Sequence, residues 1–531
     1  MRGFWKKYHK WVGLCLTFFV LMFCLSGIVL NHRKAFSRFG VSRSWLPSSY
    51  HYDNWNNGIV KGTMPLPNGK VLVYGGAGVW LTDKYMSELT PLNDGLPQGI
   101  DNRKVSNVVR AKDGKLFLSA LYGVFQLQGS QWKEVPVPLD GERVSDVALR
   151  GDTMVVLSRS FVYTAKAPYT TFTRHQLPTP KDYNPKVSLF KTVWQLHSGE
   201  LFGLVGRLVV DAMAVVIILL CLSGIIWFFF PGMMKRRSKH HGNTRQMGKT
   251  LAFSAKWHNR LGRYTIILTL LLAITGACLR PPLMIPLAMT STRPLPGSTL
   301  SSDNAFHDKL RAVRWDERLQ AWLLSTSMGF YSIGDFNGDT PQALKGAPTI
   351  SPMGINVFEP CADGQWLIGS FSGLFLWNPA GEDYVDYLTG RKPDLSGMRA
   401  FAGGTTASGY SRDLMGKEIV FEYGRGAVAK ANDATTGASQ QASSAQQAAA
   451  EKPSNNQQEA SSPLPEMPEQ LASQPMSLWN FALELHVGRC YSPLIGPFSS
   501  LFVFLSGTLL ALLLFSGWLI LHRREKKHKK K

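Results

Sequence analysis

Four apolar runs stand out along the chain: Trp11–Leu30, Leu208–Phe230, Tyr264–Leu279 and Phe498–Leu521. A hydrocarbon core of about 30 Å takes about 20 helical residues to cross, and the third and shortest run can gain length from Trp257–Arg263. The two long connections, about Asn31–Leu196 and Arg280–Leu485, change period: they read as short alternating strands punctuated by turns. The pattern predicts a membrane protein of four transmembrane α-helices with β-rich material in both long loops.

One signature recurs in those loops. A Gly after Asp or Asn opens an alternating apolar run, and a second small residue follows nine positions later, as in the pairs Gly69/Gly78, Gly114/Gly123 and Gly364/Gly373. Weaker copies lie at Gly151–Ser160, Arg318–Gly329 and Gly416–Gly426, and within each loop the turns fall roughly 37 to 52 residues apart. That spacing suits one four-stranded propeller blade, and the turn glycine supplies the positive φ of a tight hairpin. The motif is similar to blades in the sensor halves of some two-component regulators. Three copies per loop predict a single extracytoplasmic β-propeller assembled from both loops, because three blades alone would leave two open edges; two separate small β-sandwiches are the alternative.

After Ala429 the composition turns to Ala, Ser, Gln, Asn, Glu and Pro through about Met476, too polar to bury a core, which predicts a flexible tether. The expected organisation is helix 1 with its N-terminus over 1–30, a first β-rich loop (31–196), helix 2 (197–232), a basic loop (233–257) and helix 3 (258–280). A second β-rich loop (281–429), the linker (430–476), the approach to helix 4 with the helix itself (477–521) and a basic tail (522–531) follow.

Charge sets the expected topology. Residues 1–10 hold four basic groups, 233–263 hold nine with no acid, and 522–531 hold seven against Glu525, which is all but three of the net +22. Lys and Arg in short loops stay cytoplasmic, so both termini are expected inside and both long loops outside, in a multi-pass membrane protein. Topology and contact with anionic lipid account for the basic runs without nucleic acid. A basic leader before an apolar stretch also describes a secretory signal, but the run ends in Asn31-His32-Arg33 without an A-x-A site and fits an uncleaved anchor. Six cysteines in 531 residues, four inside apolar runs, make no disulfide scaffold.

Histidines mark equivalent ends of the helices. Tyr8-His9-Lys10-Trp11-Val12-Gly13 matches Trp257-His258-Asn259-Arg260-Leu261-Gly262, and eighteen residues after each His comes the Gly of Ser26-Gly27 or Thr275-Gly276. Eighteen residues make five helical turns, so each His is expected on the face of its glycine. Such a stripe suits a flat macrocycle, and equally suits close helix packing. Leu196-His197-Ser198-Gly199 likewise matches Leu485-His486-Val487-Gly488 at the outer side. The membrane part thus reads as a duplicated two-helix unit, with His9 expected near His258 and His197 near His486. His32 competes for the outer site.

Two neutral imidazoles from facing helices can ligate a haem iron axially, and the sites lack the cysteines of a zinc centre. No C-x-x-C-H is present, so two non-covalent b haems are the expected cofactors. Arg207, Arg260, Arg263 and Arg489 are placed to pair with propionates or to act as interfacial anchors. No nucleophile triad, phosphate loop or paired-carboxylate motif stands out.

The His9–Gly13 opening and the Ser26-Gly27-Ile28-Val29-Leu30-Asn31-His32 close resemble the PepSY-associated transmembrane family, which includes inner-membrane ferric and ferrisiderophore reductases carrying b haems between four helices. The match covers the helices, about a quarter of the chain; relatives often carry compact PepSY modules outside, where this chain has blade-like repeats. The resemblance implies electron transfer from a cytoplasmic or quinol donor to an extracytoplasmic acceptor, Fe(III) free or chelated being the leading candidate. The competing class is a non-catalytic, membrane-anchored propeller that binds a ligand or partner.

Overall fold

The computed structural model describes residues 2–351, 354–393, 405–430 and 462–528. The chain divides into two compact units: Met1–Val41, Asn184–Asp303 and Met476–Lys531 form a helical unit, and Ser42–Tyr183 with Asn304–Pro475 form a β unit.

The helical unit contains α1 (Arg2–Asn31), α2 (Leu189–Ser198), α3 (Gly203–Lys239), α4 (Arg245–Tyr264), α5 (Ile266–Cys278), α6 (Leu478–His486) and α7 (Ser499–His528). Three stretches, Phe4–Asn31, Glu200–Lys239 and Leu501–His522, are long and apolar enough to cross a membrane. The predicted third span is a bent pair instead: α4 and α5 meet at 71°. The bend removes the straight five-turn relation expected between His258 and Gly276, which lie on different helices. The apolar core of this unit joins Leu16, Val20 and Cys24 of α1 to Ala214 and Ile217 of α3.

The outer histidines also sit differently from expectation. His197 and His486 belong to the short helices α2 and α6, not to the long helices that follow. Each short helix is capped by a serine, Ser188 accepting from the Lys191 N–H and Ser477 from the Asn480 N–H. Each is followed by a glycine in the left-handed region, Gly199 at φ 79° and Gly488 at φ 83°, which turns the chain before the next helix. Each is preceded by a two-residue strand pairing: Val187–Ser188 with Ser291–Thr292, and Gly40–Val41 with Met476–Ser477. The duplication legible in the histidines therefore extends to the caps and strands around them.

The β unit is built of small antiparallel sheets. Among the described residues five are four-stranded meanders, spanning Gly62–Pro91, Val105–Val135, Val144–His175, Leu310–Ala343 and Val357–Asp386, and a sixth shows three strands over Ala407–Ala429. The six sequence repeats fall on the hairpin between the second and third strand of each sheet. In five sheets the turn from the first strand into the second uses a positive-φ glycine (Gly69, Gly114, Gly151, Gly364, Gly416), and the fourth sheet uses Gln320 there at φ 48°.

Buried side chains lie between each sheet and the next. Leu72 and Tyr74 pack with Val105 and Leu118, Phe117 with Val147 and Val156, Val155 and Leu157 with Val313 and Trp322. Phe330 packs with Phe358 and Trp366, Val357 and Leu367 with Ala407 and Val420, and Val71 and Trp80 of the first sheet with Ile419 and Phe421 of the sixth. Polar ties follow the same sequence: the Asn107 amide donates to Val147 O at 2.9 Å, Ser145 to Leu310 O at 3.1 Å, Arg314 Nε to Phe358 O at 3.1 Å and Asn356 to Ala407 O at 2.9 Å. Tyr410 N donates to Lys61 O at 3.2 Å, which links the sixth sheet to the chain entering the first.

The linker expected over 430–476 lies outside the described residues for 431–461. Beyond it, Leu464, Met467 and Leu471 are buried against Trp55, and Trp55 Nε1 donates to Pro465 O at 2.9 Å. The apolar residues interspersed among the prolines dock this stretch on the β unit, so Leu464–Leu471 is not part of a free tether.

Candidate functional site: two histidine pairs

The fold brings the four candidate histidines together as two pairs. The His9 and His258 ring centres are 6.2 Å apart with planes at 88°, and those of His197 and His486 are 5.9 Å apart at 54°. His9 comes from α1 and His258 from α4; His197 and His486 come from α2 and α6.

Each ring is held from a third element. His9 Nδ1 is 3.0 Å from Ser516 Oγ and 3.1 Å from Leu513 O, both on α7. His258 Nδ1 is 2.8 Å from Ser223 Oγ on α3. His197 Nδ1 is 3.2 Å from Thr275 Oγ1 and 3.1 Å from Leu272 O on α5, and His486 Nδ1 is 3.0 Å from Ser26 Oγ and 3.1 Å from Phe23 O on α1.

The hydroxyls fix the direction of these bonds. Ser516 donates to Leu513 O at 2.7 Å, Ser223 to Leu220 O at 3.0 Å, Thr275 to Leu271 O at 2.8 Å and Ser26 to Met22 O at 2.6 Å. With its proton committed to its own helix, each hydroxyl oxygen accepts from Nδ1–H, and the neighbouring carbonyls can only accept. A neutral imidazole protonated at Nδ1 carries its lone pair on Nε2. Among the described residues no protein group is bonded to Nε2 of any of the four.

The glycines do not form a bare stripe under their own histidine. Gly27 receives the ring of His486, Gly276 that of His197 and Gly517 that of His9; a Cβ on these glycines would stand 3.4, 2.8 and 3.0 Å from the imidazole Cε1. Gly224, beside Ser223, has open space. A hydroxyl residue followed by glycine is thus the docking site for a histidine from another helix. Ser26-Gly27 and Thr275-Gly276 were visible in the sequence as helix ends; Ser223-Gly224 and Ser516-Gly517 were missed, although the same dipeptide signals them.

His32 is engaged elsewhere. Its Nε2 lies 2.6 Å from Asp211 Oδ2, and the Asn31 amide donates to Asp211 Oδ1 at 2.9 Å and to Ser198 O at 3.2 Å. Asp211 is the sole acidic residue in the four apolar runs. The arginines also separate. Arg489 forks onto Glu484, Arg260 lies over the Trp257 ring, and the buried Nε of Arg207 has no partner among the described residues. Among the described residues no group of three or more His, Cys, Asp or Glu side chains is placed to enclose a metal ion.

The paired imidazoles, each with Nε2 uncommitted, would suit a metal-containing cofactor that takes one nitrogen from each ring; at ordinary metal–nitrogen distances of about 2 Å such a pair would bring its ring centres to about 6 Å. Both pairs have that spacing, and the orphaned Arg207 Nε offers a donor for a carboxylate.

The sequence profile of the PepSY-associated TM region matches residues 1–230 and again 167–524. The chain belongs to the PepSY-associated TM family. The two matches of this PepSY-associated chain overlap over 167–230, so the Ser188–Gly199 unit lies in both and the Ser477–Gly488 unit in the second. No curated protein matches the chain. Among solved structures it is similar to the extracellular domain of the putative hybrid two component system BT4673 from B. thetaiotaomicron, at 12% identity and TM-score 0.33, over 72% of this chain and 39% of that one. It is also similar to the extracellular domain of the hybrid two component system BT3049 from the same organism, at 9% identity and TM-score 0.30, over 70% and 39%. The PepSY-associated chain spans about two fifths of the length of those solved chains.

Proposed function

We propose that this protein is a dihaem b-type membrane oxidoreductase that moves electrons from a cytoplasmic donor or the quinol pool to an extracytoplasmic acceptor, with ferric iron or a ferric chelate as the leading candidate. One observation carries the proposal: four imidazoles form two pairs with ring centres about 6 Å apart, each with Nδ1 tied to a third element and Nε2 left open. Haem, when bound, supplies one-electron transfer. His9 with His258 would hold one group and His197 with His486 the other. The residues' task is to present Nε2 in a fixed tautomer and orientation and to keep the surroundings apolar.

Seventeen residues of α1 separate His9 from Ser26, the anchor of His486, which is about 25 Å of helix rise. Two sites at those depths suit electron passage across a bilayer. The proposal places the protein in a bacterial inner membrane with four spans, the bent α4–α5 pair being one, and both termini in the cytoplasm, on the charge asymmetry of the short loops.

The six sheets, each packed on the next and the sixth on the first, support a six-bladed propeller on the extracytoplasmic side as the domain that meets the acceptor. The test is haem content: purified protein from haem-replete cells, assayed as the pyridine haemochrome, is expected to hold two b haems per chain. A colourless preparation would leave a membrane-anchored binding module.

A further inference from the structure

The β unit holds a cavity separate from the histidine sites. Its lining includes Lys61, Tyr74, Asp146, Arg311, Arg314 and Glu359, and comes from five of the six sheets and the chain entering the first. Its charges are only partly matched by contact. Asp146 is satisfied: Arg314 Nη1 donates to it at 2.6 Å, Val313 N at 3.0 Å and Val147 N at 2.9 Å. Glu359 stands 4.0 Å from Arg412 and is held above the usual carboxylate range by burial.

Two cations remain. Among the described residues Arg311 Nη1 donates to the carbonyls of Asp308 and Leu310, both at 3.0 Å, and its buried Nε has no partner. Among the described residues Lys61 Nζ makes no hydrogen bond or ion pair, although the side chain reaches the cavity. Burial draws both below their ordinary values, Lys61 to about 8 with Asp146 opposing, and Arg311 to about 9 with Arg159 adding to the effect and Asp308 opposing it. Both side chains are partly buried, and their nearest carboxylates are shared with other cations, Asp146 with Arg314 and Asp308 with Arg159, so an anion in the cavity would add counter-charge for both at once.

We propose that this cavity binds a small oxyanion, a carboxylate or phosphate group, with the Lys61 ammonium as its principal contact and Arg311 as a second cation. The ammonium brings three donors and a compact charge, and Arg311 Nε–H an uncommitted donor. The inference does not depend on haem.

The test is isothermal titration calorimetry on the full chain in detergent at fixed ionic strength, with inorganic phosphate, citrate and acetate as probes. Saturable binding of at least one probe is expected, weakened about tenfold or more in Lys61→Met and in Arg311→Met, and the preferred probe tells a phosphate from a carboxylate site. No saturable heat from any of the three overturns the proposal, as does unchanged affinity in both variants. Where Lys61→Met does not fold, Lys61→Gln replaces it, and the native titration by itself can still refute the site.

Discussion

His486 lies with Nδ1 3.0 Å from the Ser26 hydroxyl and with Cε1 3.4 Å from where a Cβ on Gly27 would stand. The hydroxyl supplies the acceptor and the glycine the room. The same division of labour holds for His197 on Thr275-Gly276 and for His9 on Ser516-Gly517, at closer approach.

That gradient of approach predicts a gradient of cost. Gly276→Ala puts a methyl 2.8 Å from an imidazole carbon and Gly517→Ala 3.0 Å, whereas Gly27→Ala meets it at 3.4 Å and Gly224→Ala meets open space. Overpacking costs about 1–3 kcal/mol, and Ala in place of a helical Gly gains about 0.5–1 kcal/mol. Thermal unfolding in detergent should rank Gly224→Ala at or above the native protein, then Gly27→Ala, with Gly517→Ala and Gly276→Ala lowest. A Gly224→Ala loss equal to that of Gly276→Ala would remove the ring-docking role.

Asp211 joins His32 and Asn31 across α1 and α3. Asp211→Ala leaves both without their acceptor and is expected to destabilise the chain by about 1–3 kcal/mol, while haem content stays at the native value. Loss of one haem in His32→Ala, with His197→Ala unaffected, would return His32 to the outer site.

The pairing of the histidines was legible because duplication repeats the residues around them, as His9-Lys10-Trp11 and His258-Asn259-Arg260 show. Their anchors were not, since a serine inside an apolar run reads as a packing residue until a neighbouring helix is known. Hydropathy also hid the breaks. Thr265 ends α4 within a continuous apolar pattern, and Gly199 and Gly488 turn the chain immediately after their histidines, although left-handed glycines behind a helix are a readable stop. The six hairpins were legible from their turns. Contact between the sixth sheet and the first was expected from pooling the repeats of both loops, but the residues that make it were not legible, because pairs such as Thr63 and Ser411 lie hundreds of residues apart.

Lys61 gives a pH signature. Its folded value of about 8 lies below the ordinary 10.5, so between those values the unfolded chain holds more protons and stability rises with pH. Below pH 8 the full penalty applies. In oxyanion-free buffer Lys61→Met should therefore be the more stable form at pH 7, by on the order of 2–3 kcal/mol, and the gap should narrow as pH rises towards 9.5. A gap independent of pH would mean that Lys61 is not a buried cation.

Leu471 is 1% exposed in the core shared with Trp55. Leu471→Ala should cost about 2–5 kcal/mol, read as a lower denaturation midpoint of the β unit. An effect within about 0.5 kcal/mol would make the stretch before Met476 part of the tether after all.

The central claim is tested most directly by dithionite-reduced minus oxidised spectra of the four single His→Ala variants, with haem counted in each. The account predicts that His9→Ala and His258→Ala lose the same b haem, and that His197→Ala and His486→Ala lose the other. Spectra without b-type bands in the native protein, or losses that do not follow these two pairs, would contradict it.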